Sequence, residues 1–227
     1  MHITLRYAIA LLLLCIVVQE AHEIAHMLTD HLLQGCGGTR YFLYWQLCET
    51  GDAKKVAITA LAGPFVNFIL LFYGYVLLGK TKSRQQKSRG ITIIMATLPL
   101  QRLQAFVFRG SDEITAFKKL MSPAEPFKGA ALIAGLLLIL LFLVPALYRA
   151  FKNLEGKNQW LNMLALLVVP FIVALACQHF GAIASVRTFL LSPTHVLWTP
   201  SWLGILDVLL LLLYLMVAKN IDRLFSS

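Results

Sequence analysis

LRYAIALLLLCIVVQEAHEIAHMLTDHLL, residues Leu5–Leu33, is the stretch on which the reading of this chain turns. Its first half, from Tyr7 to Val18, is an unbroken apolar block. Its second half carries Glu20, His22, Glu23 and His26 on what reads as the same helix. An apolar run of about 18 residues is long enough to cross a bilayer as a helix. Ionisable side chains within or beside such a span are expensive to bury and mark function. Arg6 followed by an apolar run resembles the start of a signal peptide. No small-residue cleavage site follows it, and the polar cluster comes at once, so the segment reads as a retained first span.

The rest of the chain has the same character. It has 227 residues, of which 59% are hydrophobic and only 14% charged. Soluble domains carry nearer a quarter charged residues. Five further apolar blocks follow, roughly 56–79, 91–108, 130–147, 160–180 and 203–217. The expected fold is an all-α integral membrane protein, a polytopic bundle of about six transmembrane helices. Residues 34–55 hold Gly35, Gly37 and Gly38 and then the aromatic run Tyr41–Trp45, a composition suited to a short β-hairpin after the first helix. Residues 80–90, KTKSRQQKSRG, read as a basic loop. Residues 181–201, with Pro193 and Pro200, read as an interfacial or re-entrant connector.

A net charge of +9 raises the question of nucleic acid. The basic residues lie between apolar blocks, where Lys and Arg set membrane topology, and no nucleic-acid motif accompanies them. Six spans put both termini on one side with the 80–90 and 148–159 connectors. That side carries Arg6, Lys80, Lys82, Arg84, Lys87, Arg89, Arg149, Lys152, Lys157, Lys219 and Arg223. The other carries Arg40, Lys54, Lys55, Arg109, Lys118, Lys119, Lys128 and Arg187. Both termini are therefore predicted to be cytoplasmic. Cys36 and Cys48 share one connector and can pair if it faces an oxidising compartment. Cys15 and Cys177 lie in apolar blocks and read as inert core residues.

Three motifs carry chemistry. In His22-Glu23-Ile24-Ala25-His26, the histidines are four apart, so a helix puts both imidazoles on one face. Two such imidazoles can bind one zinc ion, with Glu23 near enough to take a proton from a metal-bound water. Ala62-Gly63-Pro64-Phe65-Val66-Asn67 falls inside the second span. Gly-Pro loosens the helical ladder there, and Asn67 can serve either a substrate carbonyl and oxyanion or plain interhelical hydrogen bonding. Gly110-Ser111-Asp112-Glu113 follows the third span. Spans one and three run in the same direction, so Asp112 falls toward the face that bears the histidines and can be a third ligand; helix capping is its plainer role.

Together these motifs resemble the site-2 protease family of intramembrane zinc metalloproteases, over roughly residues 8–115, about half the chain. The resemblance implies a core at 1–115 followed by three further spans of unassigned role at 116–227. It implies one Zn2+ held by His22, His26 and Asp112, with Glu23 as general base and Asn67 assisting the substrate or transition state. The expected substrate is a membrane protein, cut in or near a transmembrane segment. The chain departs from the family pattern at the third motif. Ala96 stands where the family has Asn before Pro99, and Asp112 is followed by Glu113 instead of Gly. Glu113 is thus a competitor for the third ligand position, with His179 and His195 as distant ones. Family members place the zinc toward the cytosol, whereas the Lys and Arg distribution puts the HExxH end away from it. Two other classes fit part of the pattern: an inactive relative acting as a membrane-protein adaptor, and a transporter kinked at Gly63-Pro64.

Overall fold

The computed structural model of the chain describes residues 3–36, 38–41, 44–46, 52–108, 110–121, 125–155, 158–182, 195–196 and 199–224. The first helix, α1 (Leu5–Gln34), runs unbroken through the apolar block and the HExxH motif. Thr4 caps its N-terminus by accepting from the Tyr7 amide, and Gly35 ends it in the left-handed conformation with φ +72°. A short hairpin follows, β1 (Thr39–Tyr41) antiparallel to β2 (Tyr44–Gln46), with Arg40 opposite Trp45. The hairpin suggested by the sequence is present.

The second span, α2 (Ala53–Leu77), is capped by Asp52 and contains Pro64. The third span is the one the sequence reading placed least well. It begins at Arg84, inside the segment expected to be a loop, because Ser83 and Gln86 form a reciprocal capping box that starts a helix there. It is also two helices, α3 (Arg84–Ala96) and α4 (Pro99–Val107). The break falls at Leu98, whose φ of +51° is the one positive value at a non-glycine among the described residues. Pro99 ends the ladder there, because its ring has no N–H to continue it and disfavours the right-handed α region for the residue before it.

Beyond it come α5 (Asp112–Leu120), α6 (Glu125–Asn153) and α7 (Gln159–Ala182). A two-residue pair, β3 (His195–Val196) with β4 (Thr199–Pro200), precedes α8 (Ser201–Val217) and a terminal 3-10 turn over Ala218–Arg223. Most of the 181–201 connector lies outside the described residues.

The main core joins both halves of the sequence. Tyr7, Leu11, Ile91, Ile94 and Met95 pack in one cluster with Ile139, Leu143, Leu166 and Leu224. Helices α2 and α3 approach through Gly74 and Gly90: a Cβ on Gly74 would lie 2.9 Å from the Gly90 carbonyl oxygen. Small residues of this kind are what allow two membrane helices to pack closely. The basic connectors gather at one end of the bundle. Arg84 pairs with Glu155 at 3.3 Å and Arg89 with Asp222 at 2.5 Å. Arg149 donates to the Leu78 carbonyl at 3.2 Å. Ser88, nominally within the basic segment, is fully buried and donates to the Ile221 carbonyl.

Six helical spans are long and apolar enough to cross a membrane. Phe65 and Phe72 on α2, Leu137 and Leu141 on α6, Leu164 on α7 and Leu209 on α8 all point outward and exposed. A soluble protein keeps exposed apolar patches small, so this outer face is consistent with a multi-pass membrane protein.

Candidate metal centre

The polar half of α1 faces inward. Glu20, His22, Glu23 and His26 are all buried, although burying such groups without purpose is costly. His22 and His26 sit one turn apart with their Nε2 atoms 3.1 Å from each other. His26 Nδ1 lies 2.7 Å from the backbone carbonyl oxygen of Thr59 on α2. A carbonyl only accepts, so Nδ1 carries the proton and Nε2 presents its lone pair to the site. The Trp45 indole of β2 stacks on the His26 ring at 5.1 Å between centroids, with planes 9° apart. His26 is thus held from α2 and from the hairpin together.

The end of the third span delivers Asp112 to the same point. Ser111 caps α5 by accepting from the Ile114 amide at 3.3 Å, which sets Asp112 at the first helical position. Asp112 Oδ2 stands 3.2 Å from His22 Nε2 and 3.6 Å from His26 Nε2. The protein around Asp112 desolvates its carboxyl, which alone would raise it. The hydrogen bond from His22 and the close approach of the His26 imidazole outweigh that and hold the group well below the usual carboxylate range. Glu113, the competitor, points elsewhere. It is fully buried and pushed up by burial, and its nearest charged partner is Arg102 Nη1 at 3.8 Å. The side chains of His179 and His195, and Cys48, lie outside the described residues; Cys36 is disulfide-bonded, and Cys15 and Cys177 are free.

His22, Glu23 and His26 form a group able to hold a metal ion, with one ligand atom from each lying within 4.8 Å of the others. Asp112 Oδ2 is closer to both imidazoles than that bound requires, and it approaches from another element. Glu23 is held to one side, where its Oε1 accepts from Gln19 Nε2 at 2.7 Å. Two imidazole nitrogens and a carboxylate oxygen facing one another are a donor set that catalytic zinc takes.

Gly63 forms the floor. A Cβ placed on it would lie 2.6 Å from His22 Nε2, and closer still to His26 Nε2 and His22 Cε1. From the sequence, Gly63-Pro64 reads as a helix-loosening pair. In the structure the glycine's contribution is space beside the Nε2 atoms of both histidines. Asn67, one turn further along α2, is buried on the far side of His22, with its amide 3.4 Å from His22 Nδ1. Its oxygen, turned toward Arg102, accepts from Arg102 Nε at 3.1 Å and also from Nη2.

Arg102 also reaches this cluster, although no sequence motif singles it out. Its guanidinium reaches His22 Nδ1 at 2.6 Å and Asp112 Oδ2 at 3.2 Å. The break at Leu98 puts it there, since α4 starts afresh at Pro99 and turns Gln101, Arg102 and Ala105 toward the site. The available signal was an arginine in the middle of an apolar span, which is rare and expensive. Above the polar cluster is a cavity of about 170 Å³, walled by Gln19, Glu23, Trp45, Leu98, Gln101 and Arg102. Comparisons of the chain with protein families, with curated proteins and with solved structures return no match.

Proposed function

We propose that this chain is an intramembrane zinc metalloprotease of the site-2 protease type, cutting membrane proteins in or near their transmembrane segments. The observation that carries the reading is the convergence of His22 Nε2, His26 Nε2 and Asp112 Oδ2, separated by 3.1, 3.2 and 3.6 Å. Ligands about 2.0–2.1 Å from a tetrahedral zinc stand about 3.3 Å apart, so the observed edges fit one ion. The fit favours Asp112 over Glu113 as third ligand.

A zinc ion held by these three residues would supply a Lewis acid, which lowers the pKa of a water to about 7 and polarises the scissile carbonyl. Glu23, held by Gln19, takes the proton of the attacking water and passes it to the leaving amine. His26 keeps its ligating tautomer through the Thr59 carbonyl. Asn67 touches His22 and Arg102, so its first task in our reading is to hold them; the oxyanion contact expected from the sequence is secondary to that.

The cavity shares Gln19, Leu98 and Gln101 with an apolar cleft between α1, α4 and α7, lined also by Pro170 and Ala174. A substrate helix reaching the site from the lipid would pass there. The centre lies inside α1 and α2, in the half of the bundle away from the basic cluster. With that cluster cytoplasmic, it opens on the opposite face, in keeping with a disulfide-bonded Cys36.

The test is proteolysis in proteoliposomes. The purified zinc-loaded chain is mixed with a panel of single-span membrane peptides, and fragments are read by mass spectrometry. Cuts in or near the spans, removed by a zinc chelator and by Glu23→Gln, are expected. Absence of cleavage across the panel, or cleavage indifferent to both, would refute the reading.

A further inference from the structure

The Arg102 guanidinium stands between two carboxylates. Its Nη1 lies 3.2 Å from Asp112 Oδ2 and 3.8 Å from Glu113 Oε1. Asp112 shares its oxygen with both histidines. Glu113 is different: fully buried on α5, with neither carboxylate oxygen accepting a hydrogen bond. A buried carboxylate without hydrogen bonds is unfavourable unless a cation answers it. Arg102 is the cation within reach.

His22 makes the same point from the other side. Arg102 Nη2 is 2.6 Å from His22 Nδ1 and 3.1 Å from His22 Nε2, so it lies against both ring nitrogens, and a guanidinium only donates. The shorter of the two contacts makes Nδ1 the acceptor, and Nε2, 3.2 Å from the accepting Asp112 Oδ2, then carries the ring proton. Ligation through Nε2 needs the reverse tautomer, with the proton on Nδ1. The Asn67 oxygen, 3.4 Å away on the same side, is an acceptor ready for that proton. Two donors cannot face each other at 2.6 Å, so Arg102 must leave His22 when Nε2 binds a metal. The cation also takes the Asp112 charge and repels the guanidinium.

We propose that Glu113 is the counter-ion that receives Arg102 when a metal ion engages His22, His26 and Asp112, so that the Arg102–Glu113 pair sets the metal affinity of the centre without touching the metal. Asn67, which holds Arg102 Nε at 3.1 Å, is the pivot of the movement. This rests on the metal reading proposed above and assigns Glu113 as a positioning residue instead of a ligand. The acidic residue that departs from the family's third motif acquires a purpose by it.

The experiment measures zinc affinity of the full chain in detergent, by competition with a chromophoric chelator, alongside thermal unfolding. Four proteins are compared: wild type, Glu113→Gln, Arg102→Met and the double variant. Glu113→Gln keeps the shape of the side chain and should fold, but it strands Arg102 on His22 and Asp112. Its zinc affinity should fall about ten- to a hundredfold, the range for outer partners of metal ligands. Adding Arg102→Met removes the stranded charge and should bring affinity back to within about threefold of wild type. A directly ligating Glu113 cannot be rescued in this way. If Glu113→Gln binds zinc as tightly as wild type, or if the double variant stays as weak as Glu113→Gln, the proposal is wrong while the metal centre stands. If folded wild type binds no zinc at all, the metal centre itself falls and this pairing with it.

Discussion

Replacing Gly63 by alanine adds one methyl group at the most crowded point of the centre. Its carbon would lie 2.6 Å from His22 Nε2 and nearer still to His26 Nε2. Carbon packs comfortably at about 3.5 Å or more, so an overlap of about 0.9 Å or larger must be relieved. The rings cannot give way freely. His26 is tied to the Thr59 carbonyl at 2.7 Å and covered by Trp45, and His22 lies between Asp112 and Asn67. Relief therefore moves the ligands, by about the ångström that costs a preorganised site about a hundredfold. A hundredfold loss of zinc affinity is about 2.7 kcal/mol. Stability should change much less. Alanine favours the helix over glycine by about 1 kcal/mol, which offsets much of an overpacking penalty of about 1–3 kcal/mol. The expected variant is folded, with near-wild-type thermal unfolding in detergent, zinc affinity at least about a hundredfold weaker and no detectable cleavage. Zinc competition titration and membrane-peptide cleavage measure both. Gly63→Ala binding zinc at wild-type strength and cleaving normally would refute the placement of the metal beside Gly63.

Glu23→Gln keeps the shape and cannot accept a proton, so it should retain one zinc per chain while cleavage drops about 10²–10⁴-fold; zinc content and rate measured on one preparation check this. Asp112→Ala removes the third ligand and should lower zinc affinity at least about tenfold, read by chelator competition, with no recovery on adding Arg102→Met. Gln85, exposed near the start of α3, is the position for a topology probe, since Ser88 is buried against Ile221. Gln85→Cys, with native cysteines replaced, should resist an impermeant thiol reagent on intact cells; ready labelling would turn the bundle over and place the centre toward the cytosol.

The parts of the fold legible from sequence were those encoded by local pattern. Six apolar blocks correspond to six helical stretches long and apolar enough to cross a bilayer, because length and hydropathy are read directly from the chain. HExxH gave the facing histidines, because helical spacing is fixed. Direction of travel along spans one and three brought Asp112 to them without any contact being known. What escaped depends on tertiary placement. Ser83 and Gln86 start α3 inside a segment whose five Lys and Arg suggested a loop. The break at Leu98 aims Arg102 at the site, and nothing in the local pattern says where an arginine in a span will point. Gly63 looked like a flexibility device, and only packing against two imidazoles reveals it as a matter of space. Asn67 reads from the sequence as either a substrate contact or an interhelical hydrogen-bonding group, and only the packing places it against His22 and Arg102.

Metal analysis of the purified chain, wild type beside the His22→Ala, His26→Ala double variant, tests the central claim most directly. One zinc per chain in the wild type and none in the folded double variant is the predicted result. A folded wild type without zinc, or a double variant that keeps it, would contradict a metal centre built on His22, His26 and Asp112.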